Sequence, residues 1–223
     1  MKPYIFLLLL SSFLVSSQTP VSKTLGEFSE LKVYDLINVE LIESTENKIE
    51  ITGEETSNVL IIQKNDLLKI KMVLNKSFNG NKTFIKLYYT KIDVIDVNEG
   101  AKVNSKSLFK QYELELKAQE GGKISVITDT KLLSIKTVTG GKINVSGTTY
   151  SQKIKIRTGG IYDAPLLKAL KSEVNIKTGG IADISSSELI EVRIFAGGDL
   201  IIHGETKSLK QSKMIGGRII YKD

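Results

Sequence analysis

The chain has 223 residues, 41% hydrophobic and 25% charged, with three prolines, which suits one large domain or two small ones with a real core. No cysteine and a single histidine, His203, are present, so disulfides, thiolate catalysis and thiolate metal sites are excluded, and an all-histidine metal site or a Ser-His-Asp triad has no basis. The net charge of +6 is a mild, dispersed excess, compatible with acidic glycans or lipid headgroups but giving no case for a nucleic-acid partner.

The first element is "MKPYIFLLLLSSFLVSSQTP". Lys2 precedes an apolar run over 4–15, and Val15 and Ser17 supply the small residues before Gln18. This pattern predicts a secretory signal peptide over residues 1–17, cleaved after Ser17, since the run is shorter than the about 20 residues a spanning helix needs. No second run of that length follows, so the mature chain, 18–223, is expected to be exported with no transmembrane segment. Without residues 1–17 the balance is 30 basic to 25 acidic residues, or +5. Stability in an oxidising compartment must then come from the fold, with no disulfide to help.

Residues 25–97 alternate apolar and polar side chains in short runs: "LKVYDLINVELIES", "NKIEITG", "NVLIIQ", "LLKIKMV", "FIKLYY" and "KIDVIDV". Turn signals such as "TEN", "GEETS" and "KND" separate them, which predicts strands. They are expected to form the opening coils or a β cap, with 74–83 as an exposed, mobile loop. No linker composition interrupts the chain, so 18–223 reads as one domain.

From residue 98 a phrase repeats. Gly121, Gly140, Gly159, Gly179, Gly197 and Gly216 each open a diglycine, at spacings of 19, 19, 20, 18 and 19 residues; "EGAKVNS", at Gly100, is a degenerate earlier copy. A fixed period over the last 120 or so residues signals a solenoid. Alternation with period 2 follows each pair, so the repeated element is a strand. One inward column is Val103, Ile124, Ile143, Tyr162, Ala182, Leu200 and Ile219; a second strand before each glycine pair contributes the column from Ile95 and Leu116 to Val192. The predicted fold is all-β: a right-handed parallel β-helix with coils of about 19 residues, each hydrogen-bonded to the next at about 4.8 Å. Glycine at the corner supplies positive φ and space for neighbouring backbone. Strands rather than helices follow the glycines, which argues against phosphate binding there. The nine-residue period of a calcium-binding repeat is missing, so no metal or other cofactor is expected.

The run from "FSELKVYDLINVELIES" through the diglycine coils to "GGRIIYKD" resembles the family named "putative auto-transporter adhesin, head GIN domain", exported proteins of Bacteroidetes-type bacteria. The resemblance covers nearly the whole mature chain and implies a β-helix. It implies an adhesin-like envelope protein in the periplasm or on the surface of a Gram-negative cell, and it brings no catalytic residues with it. No sorting module is expected after "GGRIIYKD", a departure from the family pattern that counts against direct surface display.

Three constellations are candidates for chemistry. Asp163 and Asp183 fall in one outward column on adjacent coils, at a separation compatible with a retaining glycosidase pair, but an ordinary polar ladder has the same spacing. Lys117, Lys136, Lys155 and Arg193 share an outward column, with Arg157 and Lys177 in the next; this basic stripe is the candidate ligand-binding face. Glu115, Glu173 and Glu191 lie two residues away and dilute its field. His203, beside Gly204, reads as an exposed loop histidine without catalytic partners. The expected function is therefore non-catalytic binding of an acidic glycan or an envelope protein, with self-association as a further option. The alternatives are a polysaccharide lyase or glycoside hydrolase, and a purely structural envelope role.

Overall fold

The computed structural model describes residues 20–222; the leader expected over 1–17 lies outside the described residues. The described residues are 71% strand without an α-helix, wound into a parallel β-solenoid of about seven turns with coils about 19 residues apart. Its regular part comprises β9 (Lys102–Ala118), β10 (Lys123–Val138), β11 (Lys142–Arg157), β12 (Ile161–Thr178) and β13 (Ile181–Ala196). These pair in parallel in sequence order. The next coil divides into β14 (Asp199–His203) and β15 (Ser208–Ile215), and β16 (Arg218–Lys222) lies beneath β14.

The anticipated columns are the register of the sheet. Ile124, Ile143, Tyr162, Ala182, Leu200 and Ile219 are successive partners, as are Leu116, Ile135, Ile154, Val174 and Val192. From Leu116 to Leu200 these side chains are buried, each contributing about 1.5–3 kcal/mol where a large aliphatic group leaves water. The coil differs from the expected two short strands. A single strand of 16 to 18 residues wraps most of each turn, bending at register shifts such as Ser125/Ile127 and Asn144/Gly147. Parallel neighbours satisfy the backbone continuously round such a bend, so the strand need not end there.

The interior also carries a polar network among these columns. Tyr162 Oη donates to Gln152 Oε1 at 2.7 Å, Gln152 Nε2 donates to Ser172 Oγ at 2.8 Å, and Ser172 and Ser186 share a bond of 2.7 Å. All four side chains are buried; burial pushes the Tyr162 phenol pKa far up, so Tyr162 acts as a neutral donor.

The N-terminal part departs from spatial order. Besides β1 (Val21–Thr24), it contains β2 (Glu30–Val33), β3 (Asn38–Glu43), β4 (Lys48–Gly53), β5 (Val59–Lys64), β6 (Leu67–Met72), β7 (Thr83–Tyr89) and β8 (Val94–Val97). Strand β3 lies between β7 and β9, and β2 between β6 and β8. After β1 at the outer edge of the cap, the chain passes inside the stack at β2 and β3, runs outward to complete the cap, and returns at β8. The cap is antiparallel, from β1/β4, β4/β7 and β5/β6. The 74–83 segment exposes Leu74 and Phe78, yet buried Asp35 holds it: its carboxylate accepts from Met72 N at 3.0 Å and Phe78 N at 2.9 Å. At the other end the inward positions below Val192 and Ile194 pass to Gln211 and Lys213, which put polar groups over the open core and discourage stacking.

The corner explains the diglycines in two ways. In four coils the positive-φ pair is the first glycine and the residue before it, Glu99, Glu120, Thr139 or Thr158; in the last three it is both glycines, as at Gly179 and Gly180. Left-handed backbone at a β-branched residue is strained. Thr139→Asn is accordingly expected to stabilise the fold by about 1 kcal/mol, read as a higher urea midpoint at unchanged slope.

Candidate functional site

Two outward faces emerge from this winding. On one, Lys117, Lys136 and Lys155 are successive partners, Asn175 follows, and Arg193 comes next. Adjacent coils place these groups about 4.8 Å apart along the rod. Arg157 and Lys177 form the neighbouring row, each following a paired inward isoleucine, Ile156 and Ile176. The six stripe residues thus share one face, with Asn175 as an interruption; its amide donates to Glu173 Oε1 at 3.1 Å.

The acidic residues act unevenly on the stripe. Lys117 Nζ lies 2.8 Å from Glu115, and Glu173 is held by Lys153 at 3.2 Å. Burial would raise the Glu173 pKa, but hydrogen bonds from Lys153 and Asn175, with the charges of Lys153 and Arg193, bring it below the usual carboxylate range. Glu191 is occupied by Lys210 at 2.9 Å. Lys136, Lys155, Arg157, Lys177 and Arg193 make no ion pair with the described residues, so the cationic surplus sits on them.

At the C-terminal end of this face Lys177, Arg193, Phe195 and Met214 line a groove of about 360 Å³. Phe195 is 52% and Met214 71% exposed. Hydrophobic periodicity does not identify them, because both occupy outward positions.

The second face holds the other candidates. Asp163 and Asp183 are register partners, as expected, but each has a cationic or ionisable neighbour. Lys142 Nζ is 2.9 Å from Asp163, and His203 Nε2 is 2.7 Å from Asp183. His203 is therefore not an exposed loop residue: it ends β14, and its side chain is 26% exposed against Asp183. Both contacting atoms are buried and neither makes a hydrogen bond with the described residues. The pair of aspartates thus forms part of a polar ladder braced by neighbours.

The same face has a lysine row that the sequence columns do not single out. Lys102, Lys123 and Lys142 are successive partners, flanked two positions on by Asn104, Ser125 and Asn144. The signal is in the repeat itself: each lysine immediately follows the corner "GA" or "GG". Among the described residues no cluster of three or more His, Asp or Glu side chains is placed to hold a metal ion, and no helix is long and apolar enough to cross a membrane.

Similarity to known proteins follows this architecture. The crystal structure of a "putative adhesin" from Bacteroides fragilis NCTC 9343 superposes with a TM-score of 0.82 at 17% identity, over 92% of this chain and 98% of that one. One from Parabacteroides merdae ATCC 43184 gives 0.71 at 19%, over 92% and 96%. A "putative lipid binding protein" from Parabacteroides distasonis ATCC 8503 gives 0.69 at 16%, over 92% and 97%. At such identities the likeness concerns the fold. No curated protein sequence matches the chain significantly. The model of the family described as "Putative auto-transporter adhesin, head GIN domain" matches residues 27–206, from β2 and its cap through the diglycine coils to the start of the last turn, and the chain is a member of that family.

Proposed function

We propose that the mature chain, a single domain over 18–223 released from a leader at 1–17, is a non-catalytic binding module of the Gram-negative envelope, in the periplasm or at the cell surface. It binds an acidic glycan or an acidic envelope protein through the stripe of Lys117, Lys136, Lys155, Arg157, Lys177 and Arg193. One observation carries this reading: five of these cations lie on successive coils of one flat face without an ion pair, where a row of acidic groups can meet them at the coil spacing. Such a face attracts polyanions through summed, salt-screened charge. Membership of an adhesin family supports a binding role, and the neighbours of Asp163 and Asp183 favour a ladder over a working acid–base pair.

The test is retention of the mature protein on immobilised dextran sulfate. Lys155→Glu/Arg157→Glu is expected to elute at markedly lower salt than the parent, about tenfold weaker in affinity. Equal retention would overturn the stripe, and new reducing ends after incubation with a polysaccharide panel would overturn the non-catalytic reading.

A second reading rests on the groove at Phe195 and Met214. An exposed aromatic and a thioether between Lys177 and Arg193 suit an anionic amphiphile, and one structural neighbour is named a lipid-binding protein. Sedimentation with phosphatidylglycerol vesicles, lost in Phe195→Ser/Met214→Ser, is the result this reading requires; no sedimentation of the parent chain would remove it.

A further inference from the structure

The face opposite in role to the basic stripe is built differently. Two outward rows run along it through consecutive strands. One reads Thr52, Phe84, Asn38, Lys102, Lys123 and Lys142. The other reads Glu50, Lys86, Glu40, Asn104, Ser125 and Asn144. Between the rows lie shallow grooves that join end to end. The first, about 370 Å³, is lined by Phe84, Asn38, Thr52 and Lys86 and reaches Asn104. The second, also about 370 Å³, begins at Asn104 and runs past Lys102, Lys123 and Ser125 to Asn144. A third continues from Ser125 and Asn144 to Asp163 and Leu166.

The chemistry changes along this track. At the cap end stands Phe84, 54% exposed on an outward position, where the core gives it no packing role. Charge there is balanced: Glu40 is the register partner of Lys86, and Glu50 is held by Lys48, whose hydrogen bond keeps its carboxyl below the usual range. In the middle the balance is positive, because Lys102 and Lys123 have no acidic partner among the described residues while Lys142 reaches Asp163 at 2.9 Å. Beside these lysines stand two amides and a hydroxyl. Asn38 spends its amide on the carbonyls of Asn81 and Thr83; Asn104, Ser125 and Asn144 instead face the groove with donors and acceptors open to a ligand. Ser125 between the two asparagines prevents a continuous amide ladder, leaving those groups without each other.

We infer that this track is a binding site for a linear acidic polysaccharide lying along the rod, across the coils. A pyranose presents its apolar C–H face to Phe84. The following units place hydroxyl groups on Asn104, Ser125 and Asn144 and uronate carboxylates on Lys102 and Lys123. From the strand of Phe84 to that of Asn144 is four strand spacings, about 20 Å, room for several sugar units in extended form. An aromatic platform, planar amides and separate cations along a groove recognise a polyol with spaced charges, whereas the stripe attracts polyanions by summed charge. The inference rests on the reading of the chain as an envelope binding module, but not on the basic stripe.

The experiment is calorimetric titration of the mature protein with galacturonate and alginate oligomers in about 0.15 M salt, with dextran oligomers for comparison. The acidic oligomers are expected to bind and the neutral dextrans to bind at least about tenfold more weakly. Lys102→Glu/Lys123→Glu and, separately, Phe84→Ala should each weaken uronate binding about tenfold or more, with unchanged melting temperature because these side chains face outward. Lys110→Glu/Lys131→Glu, exposed and outside both the track and the stripe, should bind uronates within about twofold of the parent. Failure of every acidic oligomer to bind, or retention of full affinity in Lys102→Glu/Lys123→Glu, would overturn the site. Loss confined to Lys136→Glu/Lys155→Glu would overturn it in favour of the stripe, whereas a failed dextran sulfate result for the stripe leaves this titration independent.

Discussion

Gly141→Ala is expected to destabilise the protein by about 3 kcal/mol or more, while Gly140→Ala, one residue earlier, costs about 1 kcal/mol. Both belong to the same diglycine, yet they answer different demands. Gly140 has φ of +71° and open space where a Cβ would stand, with nothing within 4 Å; its penalty is the ordinary one for an L residue in left-handed backbone. Gly141 is not among the positive-φ residues. A Cβ there would lie 2.1 Å from the carbonyl oxygen of Ala118 in the coil beneath. That atom is backbone, engaged in a stack that cannot rotate away, so the coils must separate locally and weaken their shared hydrogen bonds. Gly122 over Val97 shows the same relation at 2.2 Å. Urea denaturation of the two variants checks the contrast, and the larger loss corresponds to a fall in Tm of about 6–12 °C. Equal effects for the two would contradict the assignment of separate roles.

Replacing Tyr162 by Phe comes next in size. The hydroxyl donates to Gln152 within a fully buried network, so its removal leaves the Gln152 oxygen unpaired, at a cost of about 1–3 kcal/mol. Gln152→Leu preserves bulk in a column that already holds Leu114 and Leu133, but strands the Tyr162 hydroxyl and costs a similar amount. The double variant removes both partners together, and Ser172 keeps its bond to Ser186. Its destabilisation is expected to be smaller than the sum of the single changes by about 1 kcal/mol or more. Strict additivity in a denaturation cycle would mean that the two groups are not coupled. Tyr162→Ala belongs to a different class, losing about 3–5 kcal/mol through the cavity it opens.

These two cases also show how far residue patterns reach. The columns Ile124–Ile143–Tyr162 and Ile135–Ile154–Val174 were legible because burial repeats with the strand period and the coil period together, and both leave a mark in composition. Tyr162 was visible as an inward residue, but its partner was not. Gln152 and Ser172 share the inward phase of Ile154 and Val174, two residues on, but phase alone does not reveal the hydrogen-bond partners that let polar side chains stay inside. The cap was legible as strands and turns; the placement of β3 between β7 and β9 was not, since alternation reports which face is buried but not which neighbour covers it.

The same division holds for the candidate sites. The basic stripe was visible because its lysines share an inward–outward phase over successive repeats. Neutralisation of Lys117 by Glu115, the interruption at Asn175 and the occupation of Glu191 by Lys210 depend on side-chain reach between coils. Lys102, Lys123 and Lys142 were equally periodic, but nothing in the linear pattern set them beside Phe84, which lies in the antiparallel cap.

What the residues determined alone is the solenoid: a diglycine every 19 residues or so places a bend and a close backbone approach at each turn, and apolar alternation then has one axis to face. What only the tertiary structure decided is the order of the N-terminal strands, the buried polar network and the continuity of the grooves. Those features join groups far apart in sequence, and their pairing energy depends on distance and burial, which the folded chain alone supplies.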